Sequence, residues 1–425
     1  MNTSLNKSNE KIFITGGTQL KGNVRISGAK NAALPLMALS LIINKGFTLS
    51  NMPDLADTRL MSNLLGDLGI NVRWSFGKVI FNGSPKINEA SYDLVRQMRA
   101  SILVLGPLLA SKGSARVPLP GGCAIGTRPI DLHVLVMEAL GANVYYDSGF
   151  IIASVGSEGL KGGLIDFPKV SVGATESAIM TSVLAKGKTT IQNAAQEPEI
   201  VDLAKCLVSA GADISGVGTS TIIINGVEKL YSVDHEIVPD RIEAGSFAIA
   251  SSMTKGNIEI THIRPEDLEF FLEVLKFTGS EIKIDKNSIK IMSSKRPEPY
   301  DIVTQTHPGF PTDLQAQYMA LMSISNGNSS IKENIFENRF MHVPELLRMG
   351  ANISINNQTA SIIGVKQLKG SKVMASDLRA SMSLILGALA ASGSSEIDGI
   401  YHLDRGYEKI EDKLSNLGAI IRRSK

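Results

Sequence analysis

Cysteine is nearly absent: the chain has two in 425 residues, Cys123 and Cys206. Two thiols cannot make a disulfide framework, and neither sits in a CxxC or Cys/His cluster of the kind that holds zinc. An excess of either charge is lacking too. Lys and Arg number 43 against 41 Asp and Glu, a formal net charge of +2. That balance excludes a polyanion-binding shell over the whole surface, so any anion site must come from local clustering. Long apolar runs are missing as well. The stretch from Ala32 to Ile43 is among the longest, and it falls short of the roughly 20 residues of a membrane span. The opening MNTSLNKSNEK is polar, unlike a signal peptide. With reduced thiols, these features read as a cytoplasmic protein without a membrane role. Finally, there is no G-x-S-x-G, GxxxxGK[ST] or HExxH, and the pairs Gly16–Gly17 and Gly162–Gly163 lack the setting of a dinucleotide fingerprint. Serine hydrolase, P-loop NTPase and zincin are thereby set aside.

What is present is repetition. An amphipathic helical pattern ending in glycine and followed by a strand pattern occurs six times, as LLGDLGINV, VMEALGANV, CLVSAGADI, EVLKFTGSEI, LLRMGANI and KLSNLGAII. The glycines are Gly69, Gly141, Gly211, Gly279, Gly350 and Gly418, at intervals of 68 to 72 residues. Glycine there suits the left-handed residue that closes a helix. A second pattern alternates with the first: a nearly uncharged helix, a glycine, then a β-like run, with Gly46, Gly113, Gly187, Gly256, Gly327 and Gly393. Helices apolar all round are buried helices, whereas the first set should lie partly exposed. Six units of about 70 residues exceed one core, since domains stop growing near 250–300 residues. Three plus three is the expected division, with residues 22–236 as one domain and 1–21 plus 237–425 as the other. The strand KIFITG would then complete the second domain, and a cleft between two similar domains is a usual ligand site.

The buried helices open on polar residues: Lys30 and Asn31, Arg99, Lys169 with Ser171 and Gly173, Asp240 and Arg241, Thr312 with Asp313, and Asp377 with Arg379. Asp and Thr at such points are expected N-caps. If the units superpose, several helix N-termini face one region and add their partial positive charge to Lys30, Arg99, Lys169 and Arg379. The ligand expected there carries phosphate or carboxylate groups.

Cys206 lies on an amphipathic helix, the setting of an inert buried thiol. Cys123 lies in LPGGCAIGTRPIDLH, a glycine-rich loop with Arg128 nearby, Pro129 at the expected start of a helix, and Asp131 and His133 in its first turns. A cation and a helix N-terminus favour a thiolate, which suits a nucleophile or proton donor. Spacing alone does not separate that reading from an incidental loop cysteine, and a lone His133 reads more readily as structural.

The ordered set SGAKNAALP, MRAS, LPGGCAIGTRPIDLH, VSVGATES, EPEIVDLA, PDRIEAG, PGFPTDLQAQ, ENRFMHVPEL, DLRAS and YHLDRGYEKIEDKL closely resembles the UDP-N-acetylglucosamine enolpyruvyl transferases, from about Ile14 to the C-terminus. The resemblance implies an inside-out α/β barrel of two domains, each of three units of two helices and four strands. It implies transfer of the enolpyruvyl group of phosphoenolpyruvate to the 3′-hydroxyl of UDP-N-acetylglucosamine, through a tetrahedral ketal, with release of phosphate and without metal or organic cofactor. Residue by residue, it implies that Lys30 and Arg405 grip phosphoenolpyruvate with Asn31, Arg128 and Arg379. Arg99, the segment Arg128, Pro129, Ile130, Asp131 and Leu132 with the adjoining His133, the segment Lys169, Val170, Ser171 and Val172 with the adjoining Gly173, and Ile335 would hold the sugar nucleotide. Asp313 would be the general base at the 3′-hydroxyl, and Cys123 the proton donor to the methylene carbon, on a loop that closes as a lid. A monomer is expected.

Two rivals follow. The 5-enolpyruvylshikimate-3-phosphate synthases share the implied fold and reaction, but the PGGC loop and the Asn–Ala after Lys30 argue against them. A six-unit DNA clamp would need broad basic patches, which the balanced charge opposes.

Overall fold

The structure, a computed structural model, describes residues 10–43, 46–120 and 130–424. It is a mixed α/β protein in which contacts gather into two units, one of residues 28–120 and 130–238, the other of residues 10–27 and 239–424. Each has its own apolar core. The chain crosses after Ser27 and after Val238.

In the unit of residues 28–238 the nearly uncharged segments form the helices Lys30–Ala38, Leu105–Lys112 and Val172–Ser182. The turn Arg99–Val104 leads into the second of these and packs against the other two. Small residues allow the close approach. A Cβ added to Gly106 would lie 2.1 Å from the Thr181 hydroxyl, so only glycine fits. The amphipathic helices Ala56–Asp67, Asp131–Ala139 and Pro198–Ser209 pack outside them. In the other unit, Gln315–Met322 packs on both Arg241–Met253 and Leu378–Ala390. There every residue of Gln315–Met322 is buried. Burying a Leu, Met or Phe side chain contributes about 1.5–3 kcal/mol, so these helices are held by packing rather than propensity.

Among the described residues the strands make six separate open sheets, and none closes on itself. In five of them a strand pairs in parallel with the strand that follows a buried helix, and an antiparallel hairpin completes the four. Thus Lys21–Arg25 runs parallel to Asn257–Thr261, which pairs with Ser288–Met292 and then Glu281–Asp285. The sheets beginning Leu164–Asp166, Ile302–Val303, Lys372–Met374 and Val233–Glu236 repeat that order. The sixth has three strands, with the parallel partner reduced to a bridge between Glu89 and Arg116. The hairpin of the last sheet is split across the chain ends. Ile12–Thr15 lies between Ser394–Asp398 and Ile420–Arg423, antiparallel to both.

The six glycines of the first pattern all take left-handed φ values of 86° to 106° after their helices. The second pattern has an exception. Gly256 does not take a positive φ; Lys255 does, at 52°. Glycine is needed at 256 for room, because a Cβ would sit 2.6 Å from the Leu20 carbonyl oxygen.

Candidate active site

Within the unit of residues 10–27 and 239–424, the starts of two buried helices meet. Asp313 lies in the short turn Thr312–Leu314 that leads into Gln315–Met322. Arg379 is the second residue of Leu378–Ala390, whose first turn is capped by the Asp377 carboxylate accepting from the Arg379 and Ala380 amides at 2.9 and 3.0 Å. Asp240 caps Arg241–Met253 in the same way, through Ile242 and Glu243. Thr312 departs from the expected cap. Pro311 occupies that position without a side-chain bond, and the Thr312 hydroxyl donates instead to Glu333 Oε2 at 2.9 Å. The buried Glu333 carboxylate is a strong acceptor for that hydroxyl proton, and the bond turns the Thr312 side chain toward it.

The Asp313 carboxylate is shared by two guanidiniums. Arg379 Nη2 donates to Oδ2 at 2.7 Å, and Arg339 Nη2 donates to Oδ1 at 2.8 Å. Both arginines are almost fully buried, while a quarter of the Asp313 side chain remains exposed. Desolvation pushes its pKa up, but Arg379 and then Arg339 outweigh that and hold the carboxyl well below the ordinary carboxylate range. Arg379 Nη1 is also 3.4 Å from the Tyr407 hydroxyl, which is 2.8 Å from Ser246 Oγ and accepts from Gln317 Nε2 at 3.1 Å. Burial pushes that phenol up, against the opposing pull of Arg379. Arg405 closes the turn Ile400–Arg405, which packs on Leu378–Ala390.

Ile335 is set by the same Glu333. Its Oε1 accepts from the Ile335 and Phe336 amides at 2.9 and 3.2 Å. His342, fully buried, has its pKa lowered to about 4 by burial, with Asp377 opposing and Arg339 adding to the shift.

In the unit of residues 28–238, Lys30 opens its helix and its ammonium lies 3.0 Å from the buried Asp57 carboxylate. Asn31 follows it, and Arg99 starts the turn that packs on that helix. The segments 130–133 and 169–173 are brought together by a histidine. His133 Nδ1 is 2.7 Å from Ser177 Oγ, and a Cβ on Gly173 would touch the His133 ring at 3.6 Å. His133 is therefore a packing and hydrogen-bonding residue here. Ser171 caps Val172–Ser182 through the Ala174 amide. Ile130 and Leu132 are buried, Asp131 and Lys169 exposed, and Val170 and Val172 half-buried. Cys123, Arg128 and Pro129 lie outside the described residues, and the next helix begins at Asp131. Cys206 is buried, and desolvation raises its thiol pKa strongly.

Comparison with known proteins bears on this arrangement. The model of the EPSP synthase (3-phosphoshikimate 1-carboxyvinyltransferase) family matches residues 14–414. A UDP-N-acetylglucosamine 1-carboxyvinyltransferase of Zymomonas mobilis is 49% identical over 422 residues, covering 97% of this chain and 99% of its own. One of Acinetobacter guillouiae is 51% identical over 416 residues, with the same coverage. The chain belongs to the UDP-N-acetylglucosamine 1-carboxyvinyltransferase family. Its fold matches solved structures of lower identity. The enolpyruvyl transferase NikO from Streptomyces tendae superposes with a TM-score of 0.86 at 24% identity, covering 98% of this chain and 99% of that one. An EPSP synthase from Acinetobacter baumannii superposes with a TM-score of 0.76 at 17%, covering 98% and 100%.

For a member of this family, the residues missed in the sequence are Arg339, Glu333 and Tyr407. Arg339 lies in the quoted ENRFMHVPEL and Tyr407 in the quoted YHLDRGYEKIEDKL. What would have singled them out is burial, which one sequence does not display. Among the described residues no helix is long and apolar enough to cross a membrane.

Proposed function

We propose that the protein transfers the enolpyruvyl group of phosphoenolpyruvate to the 3′-hydroxyl of UDP-N-acetylglucosamine and releases phosphate. The step serves peptidoglycan synthesis and is carried out by a cytoplasmic monomer. The observation that carries the reading is the Asp313 carboxylate held at 2.7 and 2.8 Å by Arg379 and Arg339, at the helix starts of a chain in this family. The hydroxyl oxygen bonds to C2 of phosphoenolpyruvate while C3 gains a proton, giving a tetrahedral ketal. Loss of that phosphate and of one C3 proton restores the double bond. Asp313 takes the hydroxyl proton and Cys123 supplies the one at C3. Lys30, Asn31, Arg128, Arg379 and Arg405 hold the carboxylate and phosphate, and they stabilise the departing phosphate. Arg99, the segments 128–133 and 169–173, and Ile335 take the sugar nucleotide.

For the fold, the corresponding reading is an inside-out α/β barrel of three units in each domain. Its support is the recurring strand order and the buried helices packed on one another.

The deciding assay is phosphate release from phosphoenolpyruvate with UDP-N-acetylglucosamine or with shikimate 3-phosphate as acceptor. Turnover with the sugar nucleotide alone is expected; the opposite preference would move the chain to the EPSP synthases. Asp313→Ala should keep sugar-nucleotide binding while turnover falls at least about 100-fold, and an untouched kcat would remove Asp313 as the base. Cys123→Ser should lose most activity and resist epoxides that alkylate the thiol, and unchanged alkylation of that variant would refute the role.

A further inference from the structure

Glu333 is 1% exposed, and no ion pair to it is present among the described residues. Burying a carboxylate is costly unless its oxygens are satisfied, and here neutral donors do so. One oxygen takes the Thr312 hydroxyl; the other takes the amides of Ile335 and Phe336. The residue itself is fixed at the end of the strand Asn328–Lys332, where its amide donates to the Gln358 carbonyl at 2.8 Å and the Asn334 amide donates to Thr304 Oγ1. Its two oxygens therefore fix two different things. One is the turn that carries Ile335. The other is the first residue of the turn that carries Asp313, whose carbonyl also accepts from Gln317 Nε2 at 2.9 Å.

We propose that Glu333 is a positioning residue that sets the distance from the sugar-nucleotide contact at Ile335 to the base at Asp313. The inference rests on the reading of those two residues given above. A rigid carboxylate bridge serves this purpose because near-attack geometry is lost with about 1 Å of misplacement, at a cost near 100-fold in rate. Each oxygen can be tested separately. Glu333→Ala releases both arms, and should raise the KM for UDP-N-acetylglucosamine about tenfold while lowering kcat about 10- to 100-fold. The KM for phosphoenolpyruvate should stay within about twofold. Thr312→Val releases only the Asp313 arm, so kcat falls while the KM for the sugar nucleotide stays within about twofold. Glu333→Gln can still accept from both amides and can donate to a rotated Thr312 hydroxyl, so it should restore activity to within about threefold of wild type.

Steady-state kinetics in both substrates, with thermal melting of each variant, makes the measurement. If Glu333→Ala does not fold, Thr312→Val and Glu333→Gln still decide the matter. The proposal is overturned if Thr312→Val leaves kcat unchanged or moves both KM values with it. It is equally overturned if Glu333→Gln is as impaired as the alanine variant, or if folded Glu333→Ala keeps wild-type constants. Wild-type protein that releases no phosphate with the sugar nucleotide removes the underlying reading, and the proposal with it. Wild-type turnover without the split removes the proposal alone.

Discussion

On the reading proposed above, Asp313 is well placed but badly prepared to act as the base. A carboxylate held by Arg379 and Arg339 is a poor proton acceptor, because the two cations stabilise its ionised form. To act as a base it must give up at least one of them. On the proposed reading, phosphoenolpyruvate, with its own carboxylate and phosphate, would compete for the guanidinium of Arg379, and its arrival would raise the proton affinity of Asp313. Asp313→Asn removes the internal competitor. The variant should bind phosphoenolpyruvate about tenfold more tightly, about 1.4 kcal/mol, while losing turnover. Calorimetric titration with UDP-N-acetylglucosamine present measures this, and an affinity equal to wild type would show that no competition exists. His342 gives a second test at this scale. Its folded pKa of about 4 lies below the unfolded value near 6.5. The unfolded chain therefore binds the extra proton between those values, and stability rises with pH there. The contribution is complete above about pH 6.5 and is lost as pH falls toward about 4. Melting temperature against pH should show that slope in wild type and a flatter one in His342→Gln; parallel curves would assign the slope elsewhere. Asp313 and Arg379 could be singled out from their motifs, but Glu333, and Arg339 although it lies inside one, could not. Their roles come from neighbours 21 and 26 residues away in sequence, and no local pattern records those.

The helix ends were the most legible elements, because capping is local chemistry. Asp240 and Asp377 cap as their sequence settings indicate, and the six helix-closing glycines take positive φ. Thr312 departs from the same rule because Pro311 takes the cap position and the Thr312 hydroxyl is turned to a tertiary acceptor, Glu333. Gly256, in the second pattern, is required for a steric reason instead, imposed by Leu20 far away in sequence. The glycines themselves can be sorted by what surrounds them. At Gly279, φ is 93° and an added Cβ meets nothing within 4 Å; at Gly211, φ is 99° and the Cβ would lie 2.9 Å from the Tyr231 ring. Gly279→Ala should thus cost about 1 kcal/mol through backbone conformation alone, lowering the melting temperature by about 2–4 °C. Gly211→Ala adds a clash and should cost more. Equal losses at the two positions would mean that conformation accounts for both.

For the whole molecule, the decisive feature is the strand Ile12–Thr15. It is not an edge strand: it lies between Ser394–Asp398 and Ile420–Arg423 and bonds to both. Ile12 and Ile14 are 0% and 1% exposed and belong to the core of the unit that contains residues 239–424. Residues 10–27 and 239–424 thus belong to one unit, and the other, with its own core, lies between them in sequence. Removing residues 1–16 takes away two buried isoleucines, about 1.5–3 kcal/mol each, and both hydrogen-bonded ladders of Ile12–Thr15. Against a typical total of about 5–15 kcal/mol, that loss should unfold the unit it belongs to. The unit of residues 28–238 contributes no residue to that sheet and should remain folded. Hydrogen exchange of the truncated protein should therefore show lost protection in Ser394–Asp398, Ile420–Arg423 and Asn257–Thr261. Protection should persist in Lys188–Gln192 and Thr221–Asn225, whose pairing lies wholly within the other unit. Loss of protection in both groups would mean that the two cores are not independently stable. Retention in Ile420–Arg423 would mean that the N-terminal strand is dispensable, and that the last sheet is held by its helices instead.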